Sequence, residues 1–146
     1  MKRIIQLVVM AFLIFSHVSF SQNQETNKVE TQPQKILKTI NFIVREYVFS
    51  IGVTKYDPFT LNGYILKQGQ YTINLKKVLI YNGGRKITGI GLEFLCIDTR
   101  EDCIKVIDQK TNEVAYVPYV VFLFNNEEII IKLVTEFSRL KNCLNL

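Results

Sequence analysis

The chain of 146 residues has no tryptophan, one histidine, three cysteines, three prolines and seven glycines. So few glycines and prolines, with 48% hydrophobic residues, exclude collagen-like and low-complexity sequence for the bulk of the chain. A length of 146 residues reads as one domain. A chain of this size buries roughly two-thirds of its unfolded surface, so it needs neither a metal nor a disulfide framework to fold.

The one histidine, His17, lies in an N-terminal segment with the layout of a secretory signal peptide. Lys2 and Arg3 form a positive start, and Ile4 to Phe15 is apolar except for Gln6. Ser19 and Ser21 suit a cleavage after Ser21. The apolar run is shorter than the ~20 residues a bilayer span needs. The expectation is a signal peptide over 1–21 and export to the periplasm or beyond the cell. No cysteine precedes Cys96, which argues against a lipid anchor. Loss of Lys2 and Arg3 takes the formal charge from +5 to +3. So small a charge on an exported chain gives no case for nucleic acid as a partner.

Cleavage would leave no histidine. That excludes Ser-His-Asp and Cys-His nucleophile pairs, His-ligated zinc and HExxH sites. Any general base would have to be a carboxylate, Lys, Tyr or Cys. The chain therefore reads as a non-enzyme with no cofactor and no metal. Glu93, set among Leu92, Phe94 and Leu95, is the one candidate for a histidine-free enzyme, because burial there would raise its pKa.

Residues 22–32 are polar but for Val29 and read as a disordered linker. A domain over 33–146 follows. Thr31 and Gln34 form a capping box, and Ile36, Ile40, Ile43, Val44 and Tyr47 recur at helical spacing. A helix is expected over about 33–48, although its β-branched content also admits a strand.

The middle is β-rich. Turn signals at Asp57-Pro58 and Asn62-Gly63 allow only short strands before Tyr71. Tyr71, Ile73 and Leu75 alternate with polar residues, and the apolar phase then shifts to Val78 and Ile80, which implies a bulge or strong bend. Asn82-Gly83-Gly84 reads as the tight turn that ends this strand. Ile90, Leu92, Phe94 and Cys96 fall on one face of the next. Cys103 to Ile107 is a short strand, and Lys110-Thr111-Asn112 a turn. Val114 to Phe124 reads as a long apolar strand that Pro118 confines to an edge or a bulge.

The last element is helical. Ile130, Leu133, Val134, Phe137, Leu140 and Leu144 form one wide stripe that must cover the sheet, with Asn125 as the expected N-cap. Its polar face mixes Glu127, Glu128 and Glu136 with Lys132 and Arg139, unlike the Lys- and Arg-rich face of a membrane-surface helix.

If Asp98–Glu101 is a four-residue hairpin loop, Cys96 faces Cys103 across it and a disulfide can form. The alternative is two small buried thiols. Cys143 is left over: pairing between chains is one reading of an odd cysteine in an exported protein, and burial on the last helix is the simpler one. Asp98, Glu101 and Asp102 make an acidic turn without the spacing of a calcium loop. Tyr56 to Tyr64 reads as an exposed aromatic contact surface.

The fold class is therefore α+β. The hairpin series Tyr71–Phe124 followed by the helix Asn126–Leu144 resembles the pleckstrin-homology-like (PH-like) barrel, a bent antiparallel sheet closed by a final helix. Asp102-Cys103-Ile104-Lys105 before an apolar strand, and a last helix ending Arg139-Leu140-Lys141, resemble small exported PH-like proteins of Gram-negative bacteria. The likeness covers about residues 34–146, with the first helix an addition. In that family basic residues at an early hairpin hold inositol phosphates. The resemblance thus draws attention to Lys76, Lys77, Arg85 and Lys86 as a site for an anionic lipid or headgroup. A solvated hairpin with protective lysines is the plainer account of them. The leading expectation is a non-catalytic binding module of the cell envelope. Its partner would be a protein or peptide, held by strand addition on Val114–Phe124 or in the groove beside the last helix.

Overall fold

A computed structural model describes residues 30–50, 57–86 and 88–146. The expected signal peptide and the linker as far as Val29 lie outside these residues. Helix α1 spans Gln32–Ser50. It begins where the capping box sets it: the Thr31 N–H donates to Gln34 Oε1 at 2.8 Å, and the Lys35 N–H to the Thr31 carbonyl at 3.1 Å. Glu30, just ahead of the helix, pairs with Lys38 at 2.8 Å. Ile36, Ile40, Val44 and Tyr47 are buried along one face, which is the helical reading of this stretch rather than the strand.

Eight strands follow: β1 (Thr60–Asn62), β2 (Ile65–Gln68), β3 (Tyr71–Asn74), β4 (Val78–Lys86), β5 (Gly89–Cys96), β6 (Ile104–Ile107), β7 (Val114–Val117) and β8 (Tyr119–Phe124). All pairings are antiparallel, in a five-stranded sheet of order β1-β2-β3-β6-β7 and a three-stranded sheet of order β4-β5-β8. Helix α2, Glu127–Cys143, completes the chain. The described residues form an α+β fold, with two helices and two sheets, and the sheets do not close into the expected barrel.

Three chain paths cross from one sheet to the other along a common fold line. Between β3 and β4 the crossing is a single 3₁₀ turn, Leu75–Lys77, capped by Asn74 Oδ1 accepting from the Lys76 N–H at 3.1 Å. One 3₁₀ turn puts positions three apart on the same side, so Leu75 and Val78 both point into the core. That is the origin of the phase shift in the sequence. Between β5 and β6 the crossing is the loop 97–103, and between β7 and β8 it is Pro118. Hydrogen bonds hold the crossings side by side: Ile97 N–H to the Lys77 carbonyl at 2.9 Å, Asn74 N–H to the Cys103 carbonyl at 2.9 Å, and Cys96 N–H to the Pro118 carbonyl at 2.8 Å.

Several local expectations are corrected here. Residues 98–101 do not turn a hairpin, because β5 pairs with β4 and β8 while β6 pairs with β3 and β7. Cys96 and Cys103 are nonetheless joined, with Cα atoms 5.8 Å apart. They sit on the same side of one long hairpin, whose other side runs from Val114 to Phe124. The bond cinches off the loop between them where the hairpin bends. Asn82-Gly83-Gly84 does not end β4. The register shifts between Asn82 and Arg85, so Gly84, at φ +73°, sits in a β-bulge, and the strand turns after Lys86. Val114–Phe124 is two strands, each at the edge of its own sheet.

Helix α2 starts one residue later than expected, with Asn126 as N-cap accepting from the Glu128 N–H at 2.9 Å. Its stripe of Ile130, Leu133, Phe137 and Leu140 is buried against α1 and the three-stranded sheet. Phe137 meets Phe59 and Phe94 edge-on, with ring centroids 5.5 and 5.2 Å away. Cys143 is exposed, not buried, because the stripe runs through Leu140 and Leu144 and leaves it on the flank.

Candidate functional site

The four basic residues are not brought together. Lys76 and Lys77 lie in the 3₁₀ turn, and Arg85 and Lys86 at the other end of β4, about 25 Å away at the usual rise of an extended strand. Lys76 Nζ lies over the Tyr64 ring at 4.3 Å, and Lys77 pairs with Glu101 at 3.1 Å. Lys86 pairs with Glu93 at 3.6 Å. Arg85 and Lys86 line a dent of about 200 Å³ with Gly89, Ile90 and Asn125. Each pair thus has its own local setting, and no single cradle holds all four.

Glu93 faces outward from the three-stranded sheet, between Tyr81 of β4 and Val121 of β8. Its carboxylate lies over Gly83, where a Cβ would run into it. Desolvation, and then the hydrogen bond to Glu93, push the Tyr81 hydroxyl above its ordinary value. Glu93 is thus a paired carboxylate on a sheet face. In the acidic loop, Asp98 is held below the ordinary carboxyl value by its side-chain bonds to Arg100, at 3.1 and 3.2 Å, and by the Arg100 N–H. Among the described residues no group of three or more His, Cys, Asp or Glu is placed to hold a metal ion. No helix of the described residues is long and apolar enough to cross a membrane. Of the aromatic segment, Tyr56 lies outside the described residues. Phe59 is buried in the core, and Tyr64 alone is exposed.

The Val114–Phe124 edge is different. Antiparallel ladders alternate residues that bond the neighbour with residues that do not. The Cys96 N–H bonds the Pro118 carbonyl, so Val120, Phe122 and Phe124 also aim their backbone groups at β5. Tyr119, Val121 and Leu123 aim theirs away, to a side where no strand of the described residues lies. The next odd position confirms the parity: the Asn125 N–H points the same way and donates to the Tyr47 hydroxyl of α1 at 2.9 Å. In β7 the bond from the Asp108 N–H to the Glu113 carbonyl likewise leaves Val114 and Tyr116 facing outward.

A groove of about 410 Å³ runs beside β8. One wall is Val121 to Phe124. The other is Val44, Tyr47 and Val48 of α1 with Asp57 and Gln68. Gln68 Nε2 donates to the Asp57 carbonyl at 3.3 Å, and the Asp57 carboxylate lies beside Gly69. The edge was legible in the sequence through Pro118 and the uncharged run. The second wall was not, because its residues come from stretches that nothing local connects.

No protein-family model, curated protein or solved structure matches this chain.

Proposed function

We propose that this chain is an exported, non-catalytic binding module of the cell envelope, periplasmic or secreted, which holds a segment of another protein by adding it as a strand to the Val114–Phe124 edge. The observation that carries the reading is the state of that edge. It belongs to both sheets, has no charged residue, and ends its own ladder with outward backbone groups at Val114, Tyr116, Tyr119, Val121 and Leu123. An added strand satisfies those groups with main-chain hydrogen bonds, and its alternate side chains meet the two faces. The signal-like residues 1–21 support export. Consecutive antiparallel strands followed by a final helix packed on a sheet are the arrangement that supports kinship with PH-like domains. The anionic-headgroup reading has less support, since β4 carries Lys76 and Lys77 away from Arg85 and Lys86.

Site-specific photo-cross-linking in the source cells tests the reading. A cross-linking residue in place of Leu123 is expected to capture a discrete protein partner that survives high salt. The same residue in place of Thr72, on the polar outer face of the five-stranded sheet, is expected to capture none. Equal capture at both positions, or none at either, rejects it.

A further inference from the structure

The four sheet edges differ in how they are protected. β1 has only three residues. β4 carries a bulge and the charges of Arg85 and Lys86, and Lys141 Nζ from α2 donates to its Val78 carbonyl at 2.7 Å. β7 has four residues between Glu113 and Pro118. Short strands, bulges, lysines and prolines are the devices that stop an edge from pairing. β8 shares Pro118 with β7 at its start, but its six residues carry no charge, bulge or proline: Tyr-Val-Val-Phe-Leu-Phe. A groove also lies beside it.

From this we infer that the docking seat is the Tyr119–Leu123 stretch of β8, and that its occupant is an extended apolar peptide segment carrying one Lys or Arg side chain toward Asp57. This rests on the strand-addition reading above and narrows it. A strand laid on β8 bonds the backbone groups of Tyr119, Val121 and Leu123. On one side its side chains continue the outer face of the sheet, where Leu79, Leu95 and Tyr119 already form an apolar row. On the other they enter the groove, whose wall side chains are apolar apart from Gln68, Asp57 and the Tyr47 hydroxyl. Asp57 is the one carboxylate in those walls, and it makes no ion pair among the described residues. A basic side chain there gains a charged partner, whereas an acidic one is repelled. The Tyr47 hydroxyl, already bonded to the Asn125 N–H, closes the far end of the seat. The second wall favours a single extended segment over a broad folded surface.

The test is selection of random twelve-residue peptides displayed on phage against the immobilised full chain. Binding of an enriched peptide is then measured by fluorescence anisotropy. The enriched sequences are expected to be alternating and apolar with one Lys or Arg. Val121→Pro removes an outward N–H without breaking a bond to β5, so it leaves the fold intact and weakens binding about tenfold. Asp57→Lys is expected to weaken it about fivefold and to turn selection toward acidic peptides. Tyr116→Pro, on β7, is expected to change it less than twofold. Slowed amide exchange at Val121 and Leu123 on binding provides a readout independent of the variants. Peptides without a basic residue, or binding lost in Tyr116→Pro and kept in Val121→Pro, overturn this inference and leave strand addition standing. No enrichment at all overturns both.

Discussion

The Cys96 N–H donates to the Pro118 carbonyl at 2.8 Å, and this one bond sets the direction of every backbone group in β8. Proline has no N–H to return, so the rung is single. Beyond it the ladder alternates, and Tyr119, Val121 and Leu123 are left facing outward. The disulfide from Cys96 to Cys103 lies at the same point, so the bend of the long hairpin and the parity of its free edge are set together.

Removing that disulfide is expected to cost about 2.5 kcal/mol. The cysteines are seven residues apart, and closing a loop that short removes about this much entropy from the unfolded chain. Urea unfolding of the Cys96→Ala, Cys103→Ala double variant measures it. Cys143→Ser, at the exposed cysteine, should lie within about 0.5 kcal/mol of the parent.

Two substitutions on α2 should separate its faces. Phe137→Ala empties the space between Phe59 and Phe94 and is expected to cost about 3–5 kcal/mol. Ile131→Ala, at an exposed site on the same helix, should cost under about 0.5 kcal/mol. Equal losses in chemical unfolding would mean that the helix does not dock by this stripe.

Asn41 acts as a strand partner for Phe59. Its Nδ2 donates to the Phe59 carbonyl at 2.8 Å, and its Oδ1 accepts from the Phe59 N–H at 2.7 Å. Asn41→Ala leaves both half-buried groups without that partner and is expected to cost about 1–3 kcal/mol. Amide exchange at Phe59 should accelerate in the variant.

Acid should loosen the β6–β7 turn. The N–H groups of Thr111 and Lys110, at 2.9 and 2.7 Å, hold the Asp108 carboxyl below its ordinary value of 3.8. A depressed carboxyl stabilises the fold above the unfolded value, and that contribution is lost as pH falls through the folded one. The melting temperature of the parent should therefore fall between about pH 5 and about pH 2. The fall should be smaller in Asp108→Asn, which keeps an acceptor oxygen but does not titrate. An unchanged acid profile would remove Asp108 from this role.

Much of the fold could be read from local pattern. The α1 and α2 stripes became buried faces because helical spacing is a property of the chain itself. Ile90, Leu92, Phe94 and Cys96 shared a face because side chains alternate in any strand. The misreadings share one cause. Asn82-Gly83-Gly84 has the chemistry of a turn and of a bulge alike, and only the pairing of β4 with β5 selects the bulge. Pro118 marks an edge correctly, but the sequence does not say that the chain changes sheets there.

The residues alone thus determined the two helices, the alternation of the strands, the absence of histidine chemistry after residue 21 and the uncharged run that became an edge. Spacing along the chain carries all of these. The tertiary structure decided which sheet each strand joined, where Cys96 and Cys103 met, and that β4 parted the basic residues. It also set a wall from α1 and Asp57 beside β8. Such contacts join residues far apart in sequence, and packing of the whole core selects them, since no short segment holds both partners.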